Sequence, residues 1–371
     1  MRTWECTCGN RLFFENTECL SCGHHVGWCP ACRSISPLLP NDNANGGFLC
    51  GRSKCQAELY KCANYTEQRV CNWCLTQEIG FAPPRLCASC RLTEIIPDLS
   101  VEGNRQRWSR LEAAKRRLLC LLDLLQLPYG RAEDGVSLPL SFVFKADAIP
   151  QNGVWRTMTH ERVYTGHQDG RITINIREAD DAEREKLRVD LNEAHRTLCG
   201  HFRHEIGHYY WQMLVPGRLD QEFEETFGDY RQPTYAEALE AYYRADPPAG
   251  WQDHFVSAYA TMHPWEDFAE TTALYLDMAA VLDTASHADM APPIDVSAAE
   301  LDEMITRYLQ LGIAANELNR SMGLIDLVPE VLSAPVRTKL AFVHTLVRDC
   351  RTLGLQSGSP KCESLDCATQ N

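Results

Sequence analysis

Apolar residues change their spacing near residue 95 of the chain. Beyond it, Trp108, Leu111, Leu118, Leu119 and Leu122 recur at three- and four-residue steps with Arg and Lys between them, which predicts a helix over 100–127. Residues 139–178 follow strand patterns. LSFVFKA predicts one strand, and RVYTGHQDGRITINI predicts two strands about a turn at Gln168–Gly170. Residues 178–215 then read as one helical stretch, whose acidic start suits the positive end of a helix dipole. Gly200 and Gly207 weaken it locally and permit close packing. Further helices are expected over 235–245, 264–284, 297–322 and 334–351. Before residue 95 no long periodic segment occurs. The pattern predicts an α+β chain with a small head at 1–95, a larger domain at 96–351 and a polar tail at 352–371.

Composition changes that picture in one place. The chain has 371 residues, of which 44% are hydrophobic and 23% charged, which suits two globular domains. Its formal net charge of −14 disfavours nucleic-acid backbone as a partner. The longest apolar run, Leu118 to Leu127, is short and interrupted by Asp123 and Gln126, so no membrane span is expected. The opening MRTWECTCGN lacks a basic segment followed by an apolar one, and a cytoplasmic location is expected. Cysteine is the outlier, with 13 of the 18 cysteines in the first 90 residues, mostly as CxC or CxxC pairs. That spacing without a secretory signal points to metal rather than disulfides.

The segment HEIGH carries the candidate chemistry. Residues four apart on a helix share a face, so His204 and His208 can reach one zinc ion. Glu205 beside them is the candidate general base. A catalytic zinc needs a third protein ligand and an open position. Downstream, PWEDFAE puts Glu266 and Glu270 four apart on one helical face. Glu266 is expected as the third ligand and Glu270 as a group that orients a ligand imidazole, with Glu270 as the alternative ligand. Asp267 points off that face and is expected to be solvated or capping. Tyr259 is the preferred candidate to stabilise an oxyanion, with His263 the other choice. His201, Tyr209, Tyr210 and Trp211 are expected in the core. RITINI is expected as the sheet's edge strand, open to pairing by an extended peptide.

In the head, Cys6, Cys8, Cys19 and Cys22 form C-x-C-x10-C-x2-C, the spacing of one tetrahedral site. Cys29 and Cys32 begin a second site that Cys50 and Cys55 would complete. For a third site, spacing alone pairs Cys71 and Cys74 with Cys87 and Cys90. Cys120, Cys199 and Cys350 are expected to be free thiols. With three sites loaded, the charge of residues 1–95 moves from +1 to about −5, which favours protein contact over nucleic-acid reading.

HFRHEIGHYYW, HPWEDFAET and the opening CxC…CxxC resemble the zinc-binding metallopeptidase family that carries an N-terminal zinc ribbon. CANY, CRLTEIIPDLS, LEAAKRRLL and GRITINIREADD resemble it too, so the likeness runs along nearly the whole chain. It implies a gluzincin-like, zincin-type domain with a twisted sheet, an active-site helix and a helical C-terminal half. One catalytic zinc, two or three structural zincs and a peptide or protein substrate are expected from the residues, and the resemblance leaves the biological substrate undefined. For the third cysteine site it suggests Cys62, Cys71, Cys87 and Cys90, leaving Cys74 spare. Cys29, Cys32, Cys50, Cys55 and Cys74 exceed the family's pattern. The expected function is therefore zinc-dependent peptide hydrolysis. The alternative is a protein-binding or regulatory zinc-ribbon protein with a vestigial peptidase domain.

Overall fold

The computed structural model describes residues 2–41, 46–76, 84–146, 165–190 and 196–352. The expected tail beyond residue 352, with Cys362 and Cys367, lies outside the described residues. So do residues 147–164, including the start of the RVYT segment.

The head is built from short strands. Trp4–Glu5 pairs with Arg11–Leu12. A five-stranded antiparallel sheet then runs in chain order through Val26–Cys29, Ser34–Pro40, Phe48–Cys50, Glu58–Lys61 and Cys74–Leu75. A bridge between Trp28 and Trp73 brings its first strand beside its last, and the two indoles stack at 5.6 Å. Strands this short bury little apolar area, so cysteines make up much of the head's interior.

The larger part has a four-stranded sheet in the order Gly166–Gln168, Arg171–Asn175, Ser141–Lys145, Thr93–Ile95. The last three strands run parallel, and Gly166–Gln168 forms a hairpin with Arg171–Asn175. The hairpin turn depends on Gly170, which has φ +79°, and a Cβ there would lie 2.0 Å from the Pro139 carbonyl oxygen. The strand expected at the edge is thus interior. Its own alternation of buried Ile172 and Ile174 reports which face is covered, not who lies on either side. Among the described residues the edge on that side is Gly166–Gln168. The expected domain boundary at residue 95 falls on the end of the strand Thr93–Ile95.

Helix Asn104–Leu125 buries Trp108, Leu111, Leu118, Leu119 and Leu122 against this sheet's neighbourhood. It also meets the head, where Arg117 donates to Glu15 at 2.5 Å and Arg116 to the Val70 carbonyl at 3.0 Å. The stretch expected as one helix over 178–215 is interrupted. A short 3-10 turn at Ile176–Ala179 precedes helix Asp181–Asp190, and a new helix starts at Leu198. Thr197 causes the second start by taking an extended backbone and capping the next turn. Helices Pro264–His287, Leu301–Ser321 and Ala334–Thr352 complete a helical C-terminal half. The architecture is α+β. No helix among the described residues is long and apolar enough to cross a membrane.

Candidate metal centres

Two helices build the histidine site. In the HEIGH helix, Leu198–Leu214, the Thr197 hydroxyl oxygen accepts from the Gly200 amide at 2.9 Å, a cap worth about 1 kcal/mol. The PWEDFAE helix, Pro264–His287, begins with His263 as its cap, and His263 Nδ1 accepts from the Trp265 amide at 3.1 Å. Pro264 occupies the first turn, where its missing N–H costs nothing. The helices meet at Gly207. A Cβ there would lie 2.9 Å from Ala269 Cα and 3.1 Å from its carbonyl oxygen. That approach brings Glu266, three residues before Ala269, to the imidazoles of His204, three residues before Gly207, and His208, immediately after it.

The result is a tight triangle. Glu266 Oε2 lies 3.0 Å from His204 Nε2 and 3.4 Å from His208 Nε2, and the two Nε2 atoms are 3.0 Å apart. Tetrahedral zinc with bonds of about 2.0–2.1 Å sets its ligand atoms about 3.3 Å apart, so the set fits that ion. His204 Nδ1 meets Glu270 Oε1 at 2.6 Å, and Glu270 Oε2 accepts from Ser257 Oγ at 2.7 Å. With Nδ1 donating to Glu270, the neutral His204 ring turns the Nε2 lone pair inward. Lone pairs then face lone pairs, an arrangement that calls for a cation. Glu266 Oε2, Glu205 Oε2 and His208 Nδ1 are buried without hydrogen-bond partners, which is costly for polar atoms in a closed site.

The electrostatics agree. Burial disfavours charge on His204, but the Glu266 and Glu270 carboxylates outweigh it and draw its pKa well above the ordinary value. Burial would raise Glu266, yet the His208 and His204 imidazoles hold it below the usual carboxylate range. Glu205 is pushed up by its burial, against the pull of the two histidines. The centre of the triangle therefore favours positive charge.

One expectation changes here. Asp267 is neither solvated nor a cap. It is buried and pairs with Lys339 at 2.6 Å, because helix Ala334–Thr352 packs on the side away from the histidines. Burial lifts its pKa to about 6 despite the lysine. Tyr235 starts a helix as expected, and the sequence reading missed that its hydroxyl donates to Glu266 Oε1 at 2.9 Å. The local signal is the capping box of Thr234 and Glu237, which fixes the turn that presents Tyr235. Tyr259, the expected oxyanion donor, has its ring centroid 6.1 Å from that of His204 and 5.7 Å from that of Tyr242. His201 sits 3.7 Å from Glu178 and stands apart from the triangle. Tyr209 and Tyr210 are buried.

The cysteines gather in fours: Cys6, Cys8, Cys19 and Cys22; Cys29, Cys32, Cys50 and Cys55; Cys62, Cys71, Cys87 and Cys90. Sulfur pairs lie at 3.6 Å for Cys6–Cys22, 3.8 Å for Cys29–Cys55 and 3.7 Å for Cys71–Cys87. A disulfide would need about 2.05 Å, whereas tetrahedral zinc–sulfur bonds of about 2.3 Å give edges of about 3.8 Å. The Cys87 amide donates to Cys62 Sγ and the Cys90 amide to Cys87 Sγ, each at 3.4 Å, as suits thiolates. Cys74 is buried outside the third group. Among the described residues Cys350 is buried and Cys120 and Cys199 are half-buried, and none of the three is in a disulfide or a cysteine group.

Comparison with known proteins agrees with this layout. Residues 104–346 match the family model described as "Putative zinc-binding metallo-peptidase", and residues 3–101 match that of a zinc-ribbon domain. An uncharacterized protein of Mycobacterium bovis and uncharacterized proteins of two Mycobacterium tuberculosis strains are each 40% identical over 357 residues. The matches cover 94% of this chain and 95% of each relative. No solved structure matches the chain.

Proposed function

The chain belongs to the zinc-binding metallopeptidase family, and from that premise we propose that it hydrolyses peptide bonds with Glu205 as general base. The observation that carries the reading is the His204–His208–Glu266 triangle beside a buried, unpartnered Glu205 carboxylate oxygen. Zinc held by these three side chains would lower the pKa of a bound water to about 7 and polarise the scissile carbonyl. Glu270 holds the Nδ1 proton of His204 and thereby fixes which nitrogen faces the centre. Glu205 Oε2 accepts the proton of the attacking water and returns it to the nitrogen of the departing amine. The burial that raises the pKa of Glu205 makes it a stronger base toward the attacking water than an ordinary carboxylate.

An extended peptide would pair with Gly166–Gln168, an edge strand of the four-stranded sheet among the described residues. That strand packs on the HEIGH helix, where the His167 and Tyr209 rings lie 6.1 Å apart and Gln212 Nε2 donates to Asp169 Oδ1 at 2.9 Å. Tyr259, with its ring centroid 6.1 Å from that of His204, would donate to the oxyanion. The head would hold three further zincs and offer a protein-contact surface, since its loaded charge of about −5 suits neither DNA nor RNA.

Replacing Glu205 with Gln tests the mechanism. The variant is expected to keep the wild-type zinc content while peptide cleavage falls by about 10²–10⁴-fold. Undiminished cleavage would remove Glu205 from the base role.

A further inference from the structure

Glu266 divides its two oxygens between different tasks. Oε2 faces both imidazoles, and Oε1 accepts from the Tyr235 hydroxyl at 2.9 Å. Tyr235 comes from helix Tyr235–Tyr242, which contributes none of the triangle's three ligands. The ring of Tyr259, on the turn Tyr259–Thr261, packs edge-on at 5.7 Å against that of Tyr242 from the same helix. The same segment supplies Ser257, which donates to Glu270 Oε2 at 2.7 Å. It is tied at its start by Lys339 Nζ, which donates to the His254 carbonyl at 2.7 Å. One strap at residues 254–261 thus donates to Glu270 and packs against the helix that carries Tyr235.

We propose that Tyr235 is the positioning residue of the metal centre: its hydroxyl holds Glu266 so that only Oε2 reaches the metal. The inference rests on the metal-centre reading given above. A buried carboxylate whose second oxygen lost its donor would either rotate, bringing both oxygens toward the imidazoles, or keep an unsatisfied buried acceptor. Both outcomes weaken the site. Outer partners of metal ligands are worth about 10–100-fold in metal affinity. Tyr235 touches no reacting atom in this account. Its ring packs edge-on against Trp265 at 5.4 Å and His263 at 5.5 Å, contacts that phenylalanine would retain.

Zinc release to a chelator tests this, followed on full-length protein carrying Tyr235→Phe, Tyr259→Phe or His204→Ala. His204→Ala identifies which zinc belongs to the triangle. Tyr235→Phe is expected to release that zinc about 10–100-fold faster than wild type, with cysteine-bound zinc released at the wild-type rate. Tyr259→Phe is the control and is expected to release that zinc at about the wild-type rate, since it keeps the ring contact with Tyr242 and the Tyr235 donor. Release from Tyr235→Phe within twofold of wild type, with a His204-dependent zinc present, would overturn the role of Tyr235 alone. Absence of any His204-dependent zinc in the wild-type protein would instead overturn the metal-centre reading, and this inference with it. A general loosening of the fold would speed all the zincs together and would also contradict the proposal.

Discussion

The head and the larger domain both gather metal ligands, but they differ in closure. In the head, cysteines meet in fours with sulfur edges of 3.6–3.8 Å, enough ligands to fill a tetrahedron. In the larger domain, three ligand atoms among the described residues meet at 3.0–3.4 Å, one short of a tetrahedron. The surroundings differ in the same sense. The head's strands span two to seven residues and cysteines make up much of its interior. The triangle sits between helices of 17 and 24 residues that pack at Gly207 and are braced by buried charge. One kind of ion would therefore hold the head folded and serve as a reagent in a domain that stands without it.

The sharpest way to break this contrast is to remove a cysteine. Cys87→Ser in the third group is expected to unfold the adjoining part of the head, since structural zinc is worth about 10–16 kcal/mol of apparent folding energy. Near-ultraviolet circular dichroism of the Trp28–Trp73 stack reads this directly, and an unchanged signal would contradict a structural role. A smaller effect should come from the larger domain's own support. Lys339→Met leaves Asp267 buried without its partner and is expected to cost about 3–5 kcal/mol in urea denaturation. Because Lys339 also anchors the His254 carbonyl, that variant would show whether the strap at 254–261 depends on this brace. Unaltered stability would mean the pair contributes little to holding the helix face that carries Glu266.

Much of this was legible in the chain, because the features were local. The i, i+4 step of His204 and His208, and that of Glu266 and Glu270, each need only a helix. The three- and four-residue spacing in 100–127 found helix Asn104–Leu125 for the same reason. What escaped depended on neighbours distant in sequence. RITINI alternates like a half-covered strand, but its interior place depends on the parallel strand Ser141–Lys145 and on the Gly170 hairpin. A helical wheel takes Asp267 away from the histidines correctly, yet only the arrival of Lys339 from 72 positions later explains its burial. Thr197 looked like an ordinary helix residue inside a long polar-apolar run, and its extended backbone set a new start. Tyr235 lies outside any motif, and reaches Glu266 only because its helix folds back over the first turn of the PWEDFAE helix.

Counting zinc tests the central distinction most directly. Metal analysis of wild type and His204→Ala, read beside thermal unfolding, should show one zinc lost from about four with the fold retained. No zinc lost, or loss accompanied by unfolding of the larger domain, would contradict an open catalytic site in a self-supporting domain.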